Sequence, residues 1–218
     1  MTADPLEVHV HALAVGGDGV ARDADGRVVF VEGALPGERV RVRLRSEQAR
    51  FAKGVVVEVV EAAPERVAPV CPHVADGCGG CGFAHVELAA QRRLKRAMVA
   101  EALERIGRLS EPEVDEGPEL APAAFRTTVR AAVEGGRAAL RTAHGHDLVV
   151  LDSCRVAHPL IEELLVHGRF AAASEVTVRA GARTGERLVL AAPDARGVVV
   201  PDDVTVVGPG DLGPALTA

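Results

Sequence analysis

Three cysteines of this chain lie close together in the sequence, and a fourth lies far downstream. Cys71, Cys78 and Cys81 share one loop, Gly79 and Gly80 alone separate the last two, and Cys154 is the distant one. Glycines permit a tight turn, so both thiols of a C-x-x-C segment can point at one metal centre. Three local thiolates plus one distant thiolate are typical of iron-sulfur ligation, whereas zinc sites more often show two pairs. The spacing predicts an iron-sulfur cluster that ties two parts of the chain together.

Other interpretations of the same cysteines stay open from the residues alone. His73 and His85 flank the loop, and imidazole with thiolate is a common donor set for tetrahedral zinc. A redox disulfide and unligated core cysteines are also compatible with this spacing.

The composition predicts a cytoplasmic protein without a membrane partner. Four cysteines in 218 residues are too few for a disulfide scaffold, and residues 1–10 lack the basic and apolar regions of a secretory signal. No apolar run approaches the roughly 20 residues that span a bilayer. The 48% of apolar residues suffice for the cores of one large or two small domains.

The basic residues are concentrated in two segments, although the formal net charge is −6. Six of the 25 Lys and Arg residues fall within 37–55 and six within 91–108, and each segment holds only two acids. Five acids gather in 111–119 without a basic residue among them. This segregation predicts a nucleic-acid partner, which the net charge alone does not.

Residues 1–63 are predicted to form a small β-barrel of short strands joined by glycine-rich turns. The strand 39–45 alternates strictly, so four arginines share one face opposite apolar residues. These four residues, called the arginine ladder below, are Arg39, Arg41, Arg43 and Arg45. A five-strand barrel with a basic outer face is the oligonucleotide-binding plan.

The arginine ladder and nearby Lys53 are therefore predicted to contact RNA phosphates. Like charges this close are destabilising unless a polyanion relieves their repulsion, which favours RNA contact over a merely solvated face. The only aromatic side chains near them are Phe30, Phe51 and Phe83, and all three are assigned to the core.

A helix is predicted after the cysteine loop, at about 87–106. Leu94, Met98 and Ala102 recur at helical spacing, and Val99, Leu103 and Ile106 lie beside them. The first half of this helix is basic, and three of its residues are further predicted RNA contacts, namely Arg92, Arg93 and Arg96. Residues 64–110 thus form a predicted cluster loop and helix, and 111–122 an acidic, proline-rich linker.

Residues 123–218 are predicted to form an α+β domain. Strands are expected at 125–131, 175–179 and 187–190, and a short helix at 159–169. A hairpin of 139–142 with 148–151 brings the chain to Cys154. The predicted fold class is accordingly α+β, with an oligonucleotide-binding-like barrel, a cysteine loop, a helix and a second, incomplete α+β domain.

Several of these segments resemble the RNA uracil-5-methyltransferases, which make 5-methyluridine in tRNA or 23S rRNA. Segments 19–21, 29–31 and 35–38 resemble the RNA-binding TRAM domain of that family. The cysteine segments 71–73 and 78–81 resemble its cluster loop, with one residue more between Cys71 and Cys78 than in the family. The segments 125–126 and 184–186 also fit, as does Cys154 with 158–159.

The resemblance implies a 4Fe-4S cluster held by Cys71, Cys78, Cys81 and Cys154, and an rRNA or tRNA partner. It also implies a domain that binds S-adenosylmethionine in the full-length enzyme, which no segment of these 218 residues matches. The G-x-G-x-x-G match at 208–213 is interpreted as a turn-rich tail.

We therefore expect the RNA-recognition and cluster-binding part of a methyltransferase, inactive by itself, with chemistry supplied by a separate domain or chain. The alternative is a stand-alone RNA-binding iron-sulfur or zinc module without catalysis.

Overall fold

The computed structural model describes residues 4–143 and 145–211 and divides into two compact units. The first unit consists of Met1–Pro69 and Gly82–Pro118, and the second of Val70–Cys81 and Glu119–Ala218. The predicted segment 64–110 is thus divided between the units, with 70–81 in the second unit and the residues on either side in the first. The three-cysteine loop belongs to the unit that also carries Cys154.

The first unit contains a closed five-stranded barrel in the order β1-β2-β3-β5-β4. Its strands are β1 (Leu6–Leu13), β2 (Gly19–Arg22), β3 (Val28–Glu32), β4 (Arg39–Glu47) and β5 (Phe51–Glu61). All neighbours are antiparallel except β3 and β5, which are parallel. The alternating apolar residues of each strand fill the interior, as the period-two pattern predicts. The predicted barrel and the α+β class are confirmed.

Glu38 is a fully buried carboxylate beside the barrel. It accepts hydrogen bonds from the backbone N–H groups of Leu35 (2.8 Å) and Ala63 (3.2 Å). The guanidinium of Arg66 donates to both of its oxygens, at 2.5 and 2.7 Å. Burial by itself raises the pKa of Glu38, but the hydrogen bonds from Arg66, Leu35 and Ala63 outweigh burial and hold the pKa below its ordinary value. Glu38 therefore joins the turn before β4 to the chain that follows β5.

Helix α1 (Leu88–Arg105) also belongs to the first unit and matches the predicted span. Its N-cap is Glu87, whose carboxylate accepts from the N–H groups of Ala89 and Ala90. Ala90 is the only fully buried residue of the helix. Val99 and Ile106 are exposed, so the predicted apolar stripe is wrong at these two positions.

The second unit is built on a six-stranded sheet in the order β13-β11-β10-β6-β7-β8. Its strands are β6 (Thr128–Glu134), β7 (Arg137–Arg141), β8 (Leu148–Val150), β10 (Glu175–Ala180), β11 (Arg187–Ala192) and β13 (Val204–Val207). Helix α2 (Pro159–His167) covers it with Ile161, Leu164 and Leu165 in the core. A separate two-stranded sheet pairs β9 (Arg169–Phe170) with β12 (Val198–Val199).

The predicted hairpin, helix and central strands of this unit are confirmed, whereas β9, β12 and β13 are absent from the sequence-based prediction. In the described ranges, no helix is long and apolar enough to cross a membrane.

Candidate metal centre and RNA-binding surface

The cysteine loop is fixed by the end of β7. Cys78 pairs with Thr142 in an isolated antiparallel bridge, and the N–H of Gly79 donates to the carbonyl of Arg141 at 3.0 Å. Within the loop, the N–H of Cys78 donates to the carbonyl of His73 at 2.8 Å. These backbone hydrogen bonds explain why the loop belongs to the second unit rather than to the barrel.

Gly79 has no room for a side chain. A β-carbon at this position would lie 2.8 Å from the Cα of Ala143 and 3.1 Å from the carbonyl oxygen of Arg141. Gly80 is less confined, because its nearest neighbour would be a methyl group of Leu140 at 3.3 Å. The first glycine of the C-G-G-C segment is therefore required by the close approach of two backbones.

Cys154 lies just before α2, almost completely buried in the hydrophobic core. Its N–H donates to the carboxylate of Glu162 at 2.8 Å, and its carbonyl accepts from Ala157 at 2.9 Å. Burial is the main cause of the raised pKa of the Cys154 thiol, and Cys78 also raises it, while Arg126 opposes them. Packing and hydrogen bonds thus hold this thiol in a fixed position.

Of the four cysteines of the second unit, Cys81 lies within electrostatic reach of the other three. Burial raises the pKa of the Cys81 thiol, and Cys154, Cys71 and Cys78 each raise it further. Arg126 lowers the same pKa, and its guanidinium contacts the carbonyl of Gly80 at 3.4 Å. All four are free thiols.

Among the residues that the structure describes, no group of three or more His, Cys, Asp and Glu side chains is arranged to hold a metal ion. The four thiols are therefore not arranged to bind one metal ion between them. A 4Fe-4S cluster distributes four thiolates over four iron atoms, so in number and kind these donors fit it. The positive charge of Arg126 suits an anionic centre.

The two histidines considered for zinc lie in different surroundings. His73 is buried in the cysteine unit, and its Nε2 lies 2.8 Å from an oxygen of Asp152 without hydrogen-bond alignment. His85 belongs to the first unit, where burial lowers its pKa, Arg66 lowers it further and Glu38 opposes them.

The arginine ladder lies on the outer face of the barrel, but three of its four members are paired with glutamates. The pairs are Arg39 with Glu7 (2.9 Å) and Glu61 (2.5 Å), Arg41 with Glu58 (2.6 Å) and Glu7 (3.4 Å), and Arg45 with Glu32 (3.0 Å). Arg43 has no ion-pair partner among the described residues. The premise that only a polyanion relieves the repulsion in this ladder is wrong, because β1, β3 and β5 supply carboxylates.

The predicted RNA contacts on α1 are paired as well. Arg93 contacts Glu65 at 2.6 Å, while Arg92 and Arg96 lie 3.7 and 3.9 Å from Glu116 of the acidic segment. Lys53, in contrast, is exposed on β5 without an ion-pair partner in the described part of the chain. Among the predicted RNA contacts, the cations without an ion pair therefore lie on the barrel rather than on the helix.

Two of the three phenylalanines assigned to the core are not in it. Phe30 and Phe51 alternate with the core residues Val29, Val31 and Ala52, and their half-buried rings lie on the outer face. The period-two alternation that places Val29 and Val31 inside the barrel could have predicted the outward position of Phe30. Phe83 does pack against a small core cluster of the first unit.

The G-x-G-x-x-G match lies partly in a short 3-10 turn, Pro209–Asp211, in which Asp211 accepts from the N–H of Gly208 at 2.9 Å. Its last two residues, Leu212 and Gly213, lie outside the described residues.

Comparison with known proteins defines the class of the barrel. Residues 4–57, which form the barrel, match the TRAM domain. An uncharacterized RNA methyltransferase of Streptomyces avermitilis is 37% identical over 207 residues, which cover 87% of this chain and 48% of the relative. The 23S rRNA (uracil(1939)-C(5))-methyltransferase RlmD of Halomonas elongata is 42% identical over 164 residues, which cover 73% of this chain and 34% of the relative.

A solved structure shares the fold. The tRNA (uracil-54, C5)-methyltransferase of Pyrococcus abyssi, in complex with S-adenosyl-L-homocysteine, has a TM-score of 0.57 and 20% identity, over 88% of this chain and 48% of that one. The resemblance to the RNA uracil-5-methyltransferase family is thereby confirmed. The chain spans about half the length of the curated relatives it matches.

Proposed function

We propose that this chain recognises RNA and binds an iron-sulfur cluster as part of an S-adenosylmethionine-dependent RNA uracil-5-methyltransferase. The observation that carries the proposal is the TRAM domain in a chain whose relatives are named as RNA methyltransferases. The substrate is proposed to be rRNA or tRNA. The name of the Halomonas elongata relative, which specifies a uracil of 23S rRNA, supports the former.

The proposed cluster ligands are Cys71, Cys78, Cys81 and Cys154. Their mutual electrostatic effects and the burial of Cys154 support this assignment, and zinc on the same four thiolates is the alternative. When bound, a 4Fe-4S cluster supplies four metal–thiolate bonds that tie the cysteine loop to the segment before α2. The chain itself contributes the turn at Gly79, the charge of Arg126 and the shielding of Cys154 from water.

The proposed RNA contacts are the arginine ladder, Lys53, Arg92, Arg93 and Arg96. Arg43 and Lys53 can bind phosphate directly, because no carboxylate competes for them among the described residues. The paired arginines must exchange a glutamate for a phosphate, so their net contribution is smaller. This difference predicts that the unpaired cations account for most of the salt-dependent binding.

Methyl transfer is proposed to need a domain or chain beyond these residues. Chemistry at C5 of uracil requires a nucleophile at C6, a base for the C5 proton and a bound methyl donor. All four cysteines of the sequence are assigned as cluster ligands, which leaves no thiol as nucleophile. The same assignment favours a second candidate, a stand-alone RNA-binding module without catalysis.

RNA binding tests the shared part of both candidates. We expect fluorescence anisotropy with a labelled uridine-containing single strand to show affinity that falls steeply with salt. Replacing Arg41, Arg43 and Arg45 together by Ala is expected to reduce the slope of log K against log salt concentration by about 0.7 for each lost contact. Absence of binding at low salt would overturn the proposal.

A further inference from the structure

We propose that Phe30 and Phe51 form a stacking platform for unpaired RNA bases, flanked by Lys53 and Arg43. The platform rests on the RNA-binding function proposed above. It specifies the ligand of this outer face of the barrel, namely the bases of a single strand rather than a duplex.

Strand geometry places both rings outside the barrel. Val29 and Val31 on β3 and Ala52 on β5 are fully buried in the barrel core. Because successive side chains of a strand point to opposite faces, Phe30 and Phe51 must project outward. The parallel register of β3 and β5 sets Phe30 opposite Lys53, and Phe51 opposite Val28.

The two rings form one partly exposed aromatic surface. Their centroids lie 5.9 Å apart at an interplanar angle of 72°, an edge-to-face pair. In this arrangement the rings brace each other, while both remain partly open to solvent. A braced ring needs little ordering when a base stacks on it, which lowers the entropic cost of binding.

The cations beside this aromatic pair are those that lack acidic partners. Lys53 lies on the outer face of β5, opposite Phe30 and two residues after Phe51, and Arg43 is opposite Val55, two residues further along that strand. Neighbouring strands are about 4.8 Å apart, so Phe30 on β3 lies directly beside Lys53 on β5. Arg43 on β4 lies about 12 Å from Phe30, because it is one strand further across and two residues further along the sheet. Arg45, which also belongs to this face, is held by Glu32.

This combination fits a single strand. Unpaired bases expose their faces to aromatic side chains, while the adjoining phosphates pair with cations on the same surface. A duplex hides the base faces in its stack and offers a phenyl ring nothing to contact. We therefore assign the aromatic pair to base stacking and Lys53 with Arg43 to the flanking phosphates.

A tryptophan probe reads stacking directly, because the chain contains no Trp and no Tyr. Phe51→Trp is expected to give emission that is quenched saturably by oligouridylate, and much less by an abasic oligomer with the same number of phosphates. Val15→Trp is the matched control, since Val15 is 54% exposed in the turn after β1 and lies on neither of the two strands that carry the aromatic pair. Equal quenching of Phe51→Trp by both oligomers would refute the platform.

Affinity gives an independent test. Phe30→Leu and Phe51→Leu keep an apolar side chain but remove the ring, and each is expected to weaken oligouridylate binding about 5-fold or more with an unchanged salt slope. Their affinity for the abasic oligomer should equal that of the original chain. Lys53→Ala and Arg43→Ala should instead reduce the salt slope by about 0.7 each, and Arg41→Ala, whose charge is already paired, by less.

The outcomes separate the two proposals. If the original chain binds RNA and both leucine variants, folded by their melting curves, bind equally well, the platform is overturned while the RNA-binding function stands. If the original chain does not bind oligouridylate at low salt, both proposals fail.

Discussion

Gly79 and Ala143 approach each other so closely that a β-carbon on Gly79 would lie 2.8 Å from the Cα of Ala143. The N–H of Ala143 donates to the carbonyl of Gly77 at 3.2 Å, so the contact is part of a short backbone pairing. The cysteine loop therefore has one permitted position against β7, and the position of Cys78 depends on it.

Replacing Gly79 by Ala should displace the loop. We expect Gly79→Ala to lower the free energy of unfolding of the second unit by about 1–3 kcal/mol, as overpacking does in well-packed sites. Denaturant unfolding measures this change. Gly210→Ala is the control within the same unit, because a β-carbon there meets nothing within 4 Å. Equal stability of both variants would contradict the steric argument.

The cysteine assignment predicts a metal content. Protein prepared without oxygen should contain iron and sulfide, and Cys78→Ser or Cys154→Ser should lose most of both, because each removes one of four proposed ligands. Elemental analysis provides the measurement. His85→Gln should retain the iron, since His85 belongs to the first unit. Stoichiometric zinc without iron would instead support the zinc alternative.

Acid should weaken the barrel unit through Glu38. Because the folded-state pKa of Glu38 is below its ordinary value of 4.5, its charge stabilises the fold above that pH. This contribution is lost as the pH falls below 4.5 and through the lower folded-state pKa. Glu38→Gln removes the charged partner of Arg66 and should cost about 1.5–3 kcal/mol at neutral pH.

The measurement is denaturant unfolding from pH 7 to about pH 3. The difference in stability between the original chain and Glu38→Gln should shrink as the pH falls. Glu58→Gln, an exposed carboxylate paired with Arg41, should change stability little at any of these pH values. A difference that is constant over the whole range would argue against a titrating Glu38.

If these residues recognise RNA and another domain or chain carries out methyl transfer, the present chain should bind RNA without methylating it. We expect the 218-residue chain to bind RNA without transferring methyl groups, because no cysteine is left as nucleophile. Calorimetry with S-adenosylmethionine is expected to show no saturable heat, because no segment of these residues resembles the cofactor-binding domain of the family. Labelled methyl groups incorporated into a uridine by this chain alone would refute that expectation. Transfer that appears only after a cofactor-binding domain is added would support it.

The barrel could be predicted because the alternation of residues within each strand can be seen in a short stretch of sequence. In β4 the arginines and valines alternate without interruption, so one register buries every valine. The pairing of Arg41 with Glu7 and Glu58 could not be predicted in the same way. It depends on β4 lying between β1 and β5, a property of the closed barrel.

The cysteines show the same contrast. Their types and spacing predict a shared centre, but the attachment of the loop to β7 is made by backbone groups of Gly79 and Arg141. Backbone N–H and carbonyl groups occur in every sequence, so the residue types do not reveal that the loop pairs with β7. Likewise β9 and β12 have two residues each, too few to show a period.

The bridge between Cys78 and Thr142 also sets an order of events during synthesis. The loop leaves the ribosome before its support in β7 exists, and Cys154 follows Cys81 after roughly 4–15 s at about 5–20 residues per second. During that interval three thiols are present without the fourth and without the strand that positions them. A cluster held by all four proposed ligands can therefore form only after Cys154 has been synthesised.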